Sequence, residues 1–172
     1  MAEPVFKQTF DSPLGPVAIA ADNERVCSVE FCDGRLSDIH MRTGKRAGLV
    51  KSHTSINILA QLNSELNDYF DGKLRRFSVP LSIIGTPFQE RVWREIARIP
   101  YGQTISYRQL AERIGRPTAV RSVGRATGMN PLSIVIPCHR VIGKDGSLTG
   151  YGGGLWRKRR LLKLEQSGKL SK

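Results

Sequence analysis

The sequence predicts an α/β N-terminal domain over residues 1–84 and a mostly helical C-terminal domain over residues 85–172. Short apolar runs of strand length, followed by one segment of helical period, predict the first domain. A helix-start signal at Thr86-Pro87, an N-cap residue followed by proline, predicts where the helical part begins. The net charge also changes near this point, from −1 over residues 1–90 to +13 over residues 91–172.

The composition is that of a globular protein in a reducing compartment. Of the 172 residues, 40% are hydrophobic and 24% are charged, which excludes a disordered chain and suffices for buried cores. No apolar run reaches the ~18 residues that a membrane span needs, and we expect no secretory signal at the acidic N-terminus. Three cysteines do not make a disulfide framework, so we expect a cytoplasmic protein without membrane contact.

Three short strands are predicted at the start of the chain. Residues 6–10 alternate apolar and polar side chains, and the turn-forming residues 12–15 follow them. Residues 16–21 and 26–31 are apolar runs that complete a meander. The charged, glycine-rich residues 33–52 are expected to form a loop or a weak helix.

One helix closes the N-terminal domain. Over residues 56–70, apolar side chains recur at helical spacing, and Asp71-Gly72 then ends the helix. Residues 77–84 fit either a last strand or an extended linker. After Thr86-Pro87 a second amphipathic helix is predicted, which Pro100-Tyr101-Gly102 follows.

A helix-turn-helix is predicted next. Ser106 and Gln109 have the spacing of a capping box, and Gly115 stands where a left-handed C-terminal cap belongs. Thr118 is expected to cap a second helix over residues 119–127. Two short helices around a tight turn are typical of this motif, which also occurs in proteins that bind no DNA.

The second helix of this motif has the composition of a nucleic-acid-binding helix. Arg121 and Arg125 are four residues apart and share a face. Ala119 and Ser122 are small, so the backbone can approach a groove closely. A tightly packed internal helix is the alternative, but the +13 charge of residues 91–172 favours DNA.

The segment from residue 130 to residue 141 carries the candidate nucleophile. An apolar run, expected to be buried and extended, leads to Cys138, whose cationic neighbours should lower the pKa of the thiol. In an extended segment His139 would point away from Cys138, so a bridging water is the natural link between them. Cys27 and Cys32 are expected to be buried and inert, and with His40 and His53 they show no zinc-binding pattern, so we predict no metal site.

Two further features lie near the C-terminus. The glycines of residues 150–154 are expected to let backbone N–H groups approach a planar ligand. A basic helix follows, with a core side made of Leu155, Leu161, Leu162 and Leu164. Glu165 is an isolated acid in this basic helix and is either a surface residue or a partner that orients His139.

The motif Pro137-Cys138-His139-Arg140-Val141 resembles the active-site motif of the 6-O-alkylguanine-DNA alkyltransferases. The resemblance is close from residue 85 to about residue 166. It extends to five other short segments, which occur in the same order: Gly85-Thr86-Pro87-Phe88-Gln89, Ile99-Pro100-Tyr101-Gly102, Ser106-Tyr107, Asn130-Pro131 and Thr149-Gly150-Tyr151-Gly152-Gly153. It implies an RNase-H-like N-terminal domain and a C-terminal domain of winged helix-turn-helix type.

The resemblance also implies an activity: irreversible transfer of the alkyl group of 6-O-alkylguanine, and of 4-O-alkylthymine, in double-stranded DNA to Cys138. Each molecule would react once, after flipping the damaged nucleotide out of the duplex. No metal or cofactor is required. We expect a monomer, and the sequence leaves cooperative binding along DNA open.

Residue roles follow from the same resemblance. His139 would take the thiol proton through water, and Glu165 would hold the imidazole. Tyr107 would donate a hydrogen bond to a guanine ring nitrogen, and Asn130 would brace the turn before Cys138. Arg121 would enter the base stack, and three other residues would contact the DNA: Arg125, Ser122 and Ala119. The substrate pocket would be lined by Val141, Tyr151, Gly152 and Gly153.

Three alternatives remain open at this level. A DNA-binding regulator would use Cys138 structurally or as a redox sensor, and a cysteine hydrolase would need direct Cys–His contact and multiple turnovers. Some relatives of the alkyltransferases only bind lesions, but they lack the acceptor cysteine that this chain has. Ser133 stands where some members have proline, which leaves the tolerance for larger alkyl groups open.

Overall fold

The computed structural model describes residues 5–32 and 53–170, with side chains from residue 57 onward in the second range. The chain divides into two compact units, Met1–Ile83 and Ile84–Lys172, one residue before the boundary predicted from the sequence. Among the described residues, no helix is both long and apolar enough for a membrane span.

The first unit contains the predicted meander. Strands β1 (Phe6–Ser12), β2 (Gly15–Ala21) and β3 (Val26–Phe31) form an antiparallel sheet in the order β1-β2-β3. The side chains of β2 from Val17 onward are buried, as expected for the central strand. The prediction for residues 33–52 lies outside the described residues.

Helix α1 (His53–Phe70) packs on this sheet and supplies much of the core. Its buried apolar side chains are Leu59, Leu62, Leu66, Tyr69 and Phe70, at the predicted helical spacing. The segment after α1 is an extended linker rather than a strand: the Glu65 carboxylate accepts the backbone N–H of Ser78 at 2.8 Å, and Leu81 forms one isolated bridge with Val26.

The second unit begins with helix α2 (Pro87–Ile96), which has the predicted N-cap. Thr86 and Gln89 form a reciprocal capping box, and Trp93 is buried, donating from Nε1 to the carbonyl of Ala126 at 2.8 Å. This bond ties α2 to the second helix of the helix-turn-helix. The sequence signal for the start of α2 is therefore confirmed.

The helix-turn-helix consists of α3 (Tyr107–Arg113) and α4 (Val120–Gly128). The capping box of Ser106 and the left-handed Gly115, with φ of 69°, are both present. The predicted cap at Thr118 is wrong. The N–H of Ala119 closes a turn onto the carbonyl of Arg116 at 2.9 Å, so α4 starts one residue later, with Ala119 as its N-cap.

Short elements complete the second unit. Strand β4 (Ile105–Ser106) pairs in parallel with β5 (Val141–Ile142), and helix α5 (Leu155–Ser167) follows. Leu161 and Leu164 are buried as predicted, whereas Leu162 is half-buried and Leu155 is 45% exposed. Leu155 is the first residue of α5, where the preceding loop does not cover it.

Candidate active site and DNA-binding helix

A closed turn, rather than an extended strand, leads to Cys138. Asn130 follows α4, and its Nδ2 donates to the Ile136 carbonyl at 2.8 Å while its Oδ1 accepts the N–H of Leu132 at 3.0 Å. Ile134 lies between them, buried, with φ of 72°, a left-handed conformation that is strained for a β-branched residue. The expectation of an extended run is therefore wrong, because the Asn130 side chain closes the segment on itself.

Cys138 begins a short 3₁₀ helix, Cys138–Arg140, and is 4% exposed. Burial raises the pKa of its thiol, while hydrogen bonds from Asn130 and Ser133 and the positive charge of Lys158 act in the opposite direction. The pKa is raised overall, contrary to the expectation from cationic neighbours, because desolvation of the thiolate outweighs them. A buried thiol of this kind needs a base to react.

His139 and Glu165 form a fully buried pair beside the cysteine. Nε2 of His139 lies 2.7 Å from Oε1 of Glu165. Burial lowers the pKa of His139, although the Glu165 carboxylate opposes this, so the imidazole is neutral near pH 7. An ionised carboxylate only accepts hydrogen bonds, so Nε2 carries the hydrogen and Nδ1 carries the lone pair.

Glu165 joins three segments that are distant in sequence. Besides His139, it accepts Nε and Nη2 of Arg140, both at 2.9 Å, and the backbone N–H of Gly102 at 3.0 Å. Burial alone would raise the pKa of Glu165, but the bonds from His139 and Arg140 outweigh it and hold the pKa far below the usual range. Gly102 reaches the carboxylate with φ of 74°, which glycine adopts without strain.

Arg140 is a site residue that sequence reasoning missed. It is buried, and its Nη1 also donates to the carbonyl of Ile99. Its guanidinium thus connects the segment before Gly102 to Glu165. The sequence held two signals for this ion pair: Glu165 is an isolated acid in a basic helix, and Arg140 belongs to the cysteine motif.

Lys158 is the second residue missed from the sequence, where it is one of four consecutive basic residues. Its side chain is fully buried, and Nζ donates to the carbonyls of Val141 at 2.6 Å and Thr149 at 2.8 Å. Burial lowers its pKa to about 8, although the charge of Cys138 opposes this. Its spacing of three from Leu161 was the signal that it faces the core.

Tyr107 lies between Lys158 and α4, the second helix of the helix-turn-helix. Its hydroxyl donates to the Thr149 carbonyl at 2.8 Å and lies 3.5 Å from Nζ of Lys158. A Cβ added to Gly124 of α4 would lie 3.8 Å from Cδ1 of Tyr107, and one added to Gly150 would lie 3.5 Å from the hydroxyl. Both distances are ordinary van der Waals contacts, so α4 and the loop after β5 both lie against the tyrosine.

The loop before α5 forms another wall of the site. A Cβ added to Gly152 would lie 3.7 Å from the Gly128 carbonyl at the end of α4. The Gly153 carbonyl accepts Nη1 of Arg157 at 2.9 Å. Tyr151 interacts with Cys138, and burial raises its pKa well above the usual value.

The residues predicted to contact the DNA backbone and base stack lie on α4 and at its N-cap, whereas the cysteine and its buried partners lie inside the unit. Arg121, Ser122 and Arg125 are exposed on α4, and Ala119 at its N-cap is half-buried. The opposite side of α4 is buried through Val123, Ala126 and Thr127. The structure thus brings the predicted chemical residues together inside the unit and leaves the arginines at its surface.

Comparison with known proteins identifies the family. Family models match residues 5–83 (6-O-methylguanine DNA methyltransferase, ribonuclease-like domain) and residues 87–167 (6-O-methylguanine DNA methyltransferase, DNA binding domain). A Mycobacterium tuberculosis protein named methylated-DNA–protein-cysteine methyltransferase is 42% identical over 163 residues, which cover 95% of this chain and 93% of the relative. A Methanosarcina acetivorans protein of that name is 42% identical over 164 residues, which cover 95% of this chain and 99% of the relative.

Solved structures agree with these matches. M. tuberculosis OGT in complex with DNA has a TM-score of 0.82 and 41% sequence identity, with coverage of 96% of this chain and 95% of that one. The O6-methylguanine-DNA methyltransferase of the archaeon Pyrococcus kodakaraensis has a TM-score of 0.63 and 28% identity, with coverage of 94% and 98%. The predicted fold class and the resemblance are confirmed. The chain belongs to the 6-O-methylguanine DNA methyltransferase family.

Proposed function

We propose that this protein repairs DNA by transferring the alkyl group of 6-O-alkylguanine, and of 4-O-alkylthymine, to Cys138 in a single irreversible reaction. The observation that carries the proposal is a buried cysteine next to a neutral histidine that a carboxylate orients. The relatives named methylated-DNA–protein-cysteine methyltransferase support it. The substrate is double-stranded DNA, and the chain needs no metal or cofactor for a direct displacement.

Binding begins at the exposed face of α4. Arg125 and Ser122 contact the DNA backbone, and the small Ala119 lets the helix approach the groove closely. The target atom lies inside the duplex, so the nucleotide must rotate out at a cost of about a few kcal/mol. Arg121 fills the vacated place in the base stack and offsets part of this cost.

The thiol is then activated by His139. Because the pKa of Cys138 is raised, the proton leaves only when a base accepts it. The next residue in a 3₁₀ helix points about 120° away, so one water carries the proton from the thiol to Nδ1 of His139. Glu165 stabilises the imidazolium that forms.

The guanine leaves as a stabilised base. Sulfur forms a bond to the alkyl carbon while the bond from that carbon to the guanine oxygen breaks, and its electron pair stays on the base. Tyr107 exchanges its Thr149 acceptor for a ring nitrogen and stabilises the developing negative charge. Backbone groups of Cys138 and Val141 recognise the base by hydrogen bonds. The wall of the substrate pocket is formed by Tyr151, Gly152 and Gly153.

The test is a mass measurement on intact protein. We expect duplex DNA with one 6-O-methylguanine to add one methyl group, mapped to Cys138, at one equivalent per molecule. Cys138→Ala is the control and should bind the duplex without becoming modified. Binding of the lesion without transfer would identify a lesion sensor, and sequence-selective binding of undamaged DNA would identify a regulator. Continuing turnover would identify a hydrolase. Each of these results would overturn the proposal.

Arg125→Ala should weaken DNA binding through loss of an ionic contact. We expect the slope of log K against log salt to become shallower by about one unit, since one phosphate contact is lost. Arg94→Ala is the matched control, because Arg94 is exposed on α2 and is paired with Glu90. If the slope of log K against log salt is the same for Arg125→Ala and the parent protein, Arg125 does not contact a phosphate.

The cellular setting follows from the chemistry. We propose that the protein works in the cytoplasm as a monomer. All three cysteines are buried thiols, which suits a reducing compartment. The described residues of the second unit supply the nucleophile, the base and the DNA-binding helix, so the proposed reaction needs no second copy.

A further inference from the structure

The Tyr151 hydroxyl is a polar group that the proposed reaction does not use. Its oxygen is buried, and among the described residues it makes no hydrogen bond of ordinary length and angle. A buried tyrosine hydroxyl usually has one, and a buried polar group without a partner marks a place where a ligand or water can bind. The charge of Cys138 acts on the Tyr151 hydroxyl, so the two groups lie in the same part of the unit.

A second hydroxyl lies at the same place. The Ser133 side chain interacts with both the Cys138 thiol and the Tyr151 hydroxyl. Ser133 belongs to the closed turn after Asn130, where its carbonyl accepts the N–H of Val135 at 2.9 Å. Because this turn is held by side-chain and backbone bonds, the backbone of Ser133 is held in place, and its side chain reaches the sulfur from there.

We propose that the Ser133 and Tyr151 hydroxyls form a polar wall of the acceptor pocket, and that the protein accepts alkyl groups ending in a hydroxyl, such as 2-hydroxyethyl, in preference to apolar groups of equal size. This inference rests on the proposed function and adds a substrate class to it. A serine hydroxyl has one donor and two acceptor sites, so Ser133 accepts from the substrate hydroxyl while still donating to sulfur. Tyr151 donates to the substrate oxygen.

The preference arises from what an apolar group would do in this pocket. A propyl group offers neither hydroxyl a hydrogen-bond partner, whereas the hydroxyl of a hydroxyethyl group can bond to both. The chemical step is otherwise unchanged. Sulfur bonds to the first carbon of the hydroxyethyl group, the bond from that carbon to the guanine oxygen breaks, and the thiol proton is balanced by a proton taken up by the released guanine.

The test compares two substrates of equal size. The full-length protein reacts with duplexes containing 6-O-(2-hydroxyethyl)guanine or 6-O-propylguanine, and intact mass gives the second-order rate constant for each. We expect hydroxyethyl transfer to be about tenfold faster than propyl transfer, the effect of one or two hydrogen bonds. A ratio near one overturns the inference.

Variants assign the preference to the two hydroxyls. In Tyr151→Phe and in Ser133→Ala the ratio should fall about threefold or more, toward one. Because both rate constants come from the same variant, a general loss of activity cancels in the ratio. Ser147→Ala is the matched control, since Ser147 is exposed and bonded to Asp145, and it should keep the parent ratio.

The two hypotheses fail in different ways. A parallel reaction with 6-O-methylguanine reports on the proposed function alone. If Cys138 is not methylated, the proposed function is wrong. If Cys138 is methylated but the ratio is near one, or survives both substitutions, only the polar wall is wrong.

Discussion

Glu165→Gln is expected to slow methyl transfer to Cys138 by about 10²- to 10³-fold and to destabilise the protein by about 3–5 kcal/mol. The carboxylate accepts four hydrogen bonds, and an amide cannot neutralise the buried guanidinium of Arg140. The imidazolium of His139 would also lose its counter-charge. Single-turnover kinetics and thermal unfolding measure the two effects separately.

A double substitution separates the ion pair from the chemistry. Replacing both Arg140 and Glu165, as in Arg140→Met with Glu165→Leu, should recover a large part of the lost stability, because no buried charge is left without a partner. It should not recover the transfer rate. Glu112→Gln, at an exposed pair with Arg108, is the control and should change stability by less than about 0.5 kcal/mol. A similarly small change for Glu165→Gln would contradict the assigned role.

Lys158→Met is expected to slow transfer by about 10²-fold at pH 7, with Lys158 acting as a positioning residue. Its ammonium holds the carbonyls of Val141 and Thr149 and supports both the Cys138 thiolate and the Tyr107 hydroxyl. Methionine keeps most of the length of the side chain but leaves both carbonyls without this donor.

The pH dependence distinguishes the charge of Lys158 from its packing. The pKa of Lys158 is about 8, so the ammonium is present below that pH and is lost as the pH rises through it. The ratio of parent to variant rate should therefore be largest below pH 8 and decline above it. Lys163→Met, an exposed lysine of the same helix, should leave the rate unchanged. A ratio that does not change with pH would show that only packing was lost.

The starts of α2 and α3 could be predicted from the sequence because their signals are local. The capping boxes at Thr86 and Ser106 involve residues three apart, and their geometry depends little on the rest of the chain. The Thr118 prediction used the same local rule. It was wrong because a bond from Ala119 to Arg116 set the start of the helix instead.

The burial of charged residues could not be predicted in this way. Lys158 and Arg140 are buried only because partners 9 to 41 residues away in the sequence accept their hydrogen bonds. Local composition identifies both as surface charges. The family motif led to Cys138 and His139, and the isolated acid of the basic helix led to Glu165, whereas the hydrogen bonds that orient these residues depend on the tertiary structure.

The four bonds to Glu165 also bear on when the protein becomes able to react. Each molecule can react only once, and an exposed reactive thiol would react with any electrophile. Helix α5 carries both Glu165 and Lys158, so a chain in which this helix is undocked lacks the groups that orient the base and support the thiolate. Reactivity at Cys138 therefore depends on the docking of α5, and a copy in which α5 is undocked is protected from self-inactivation.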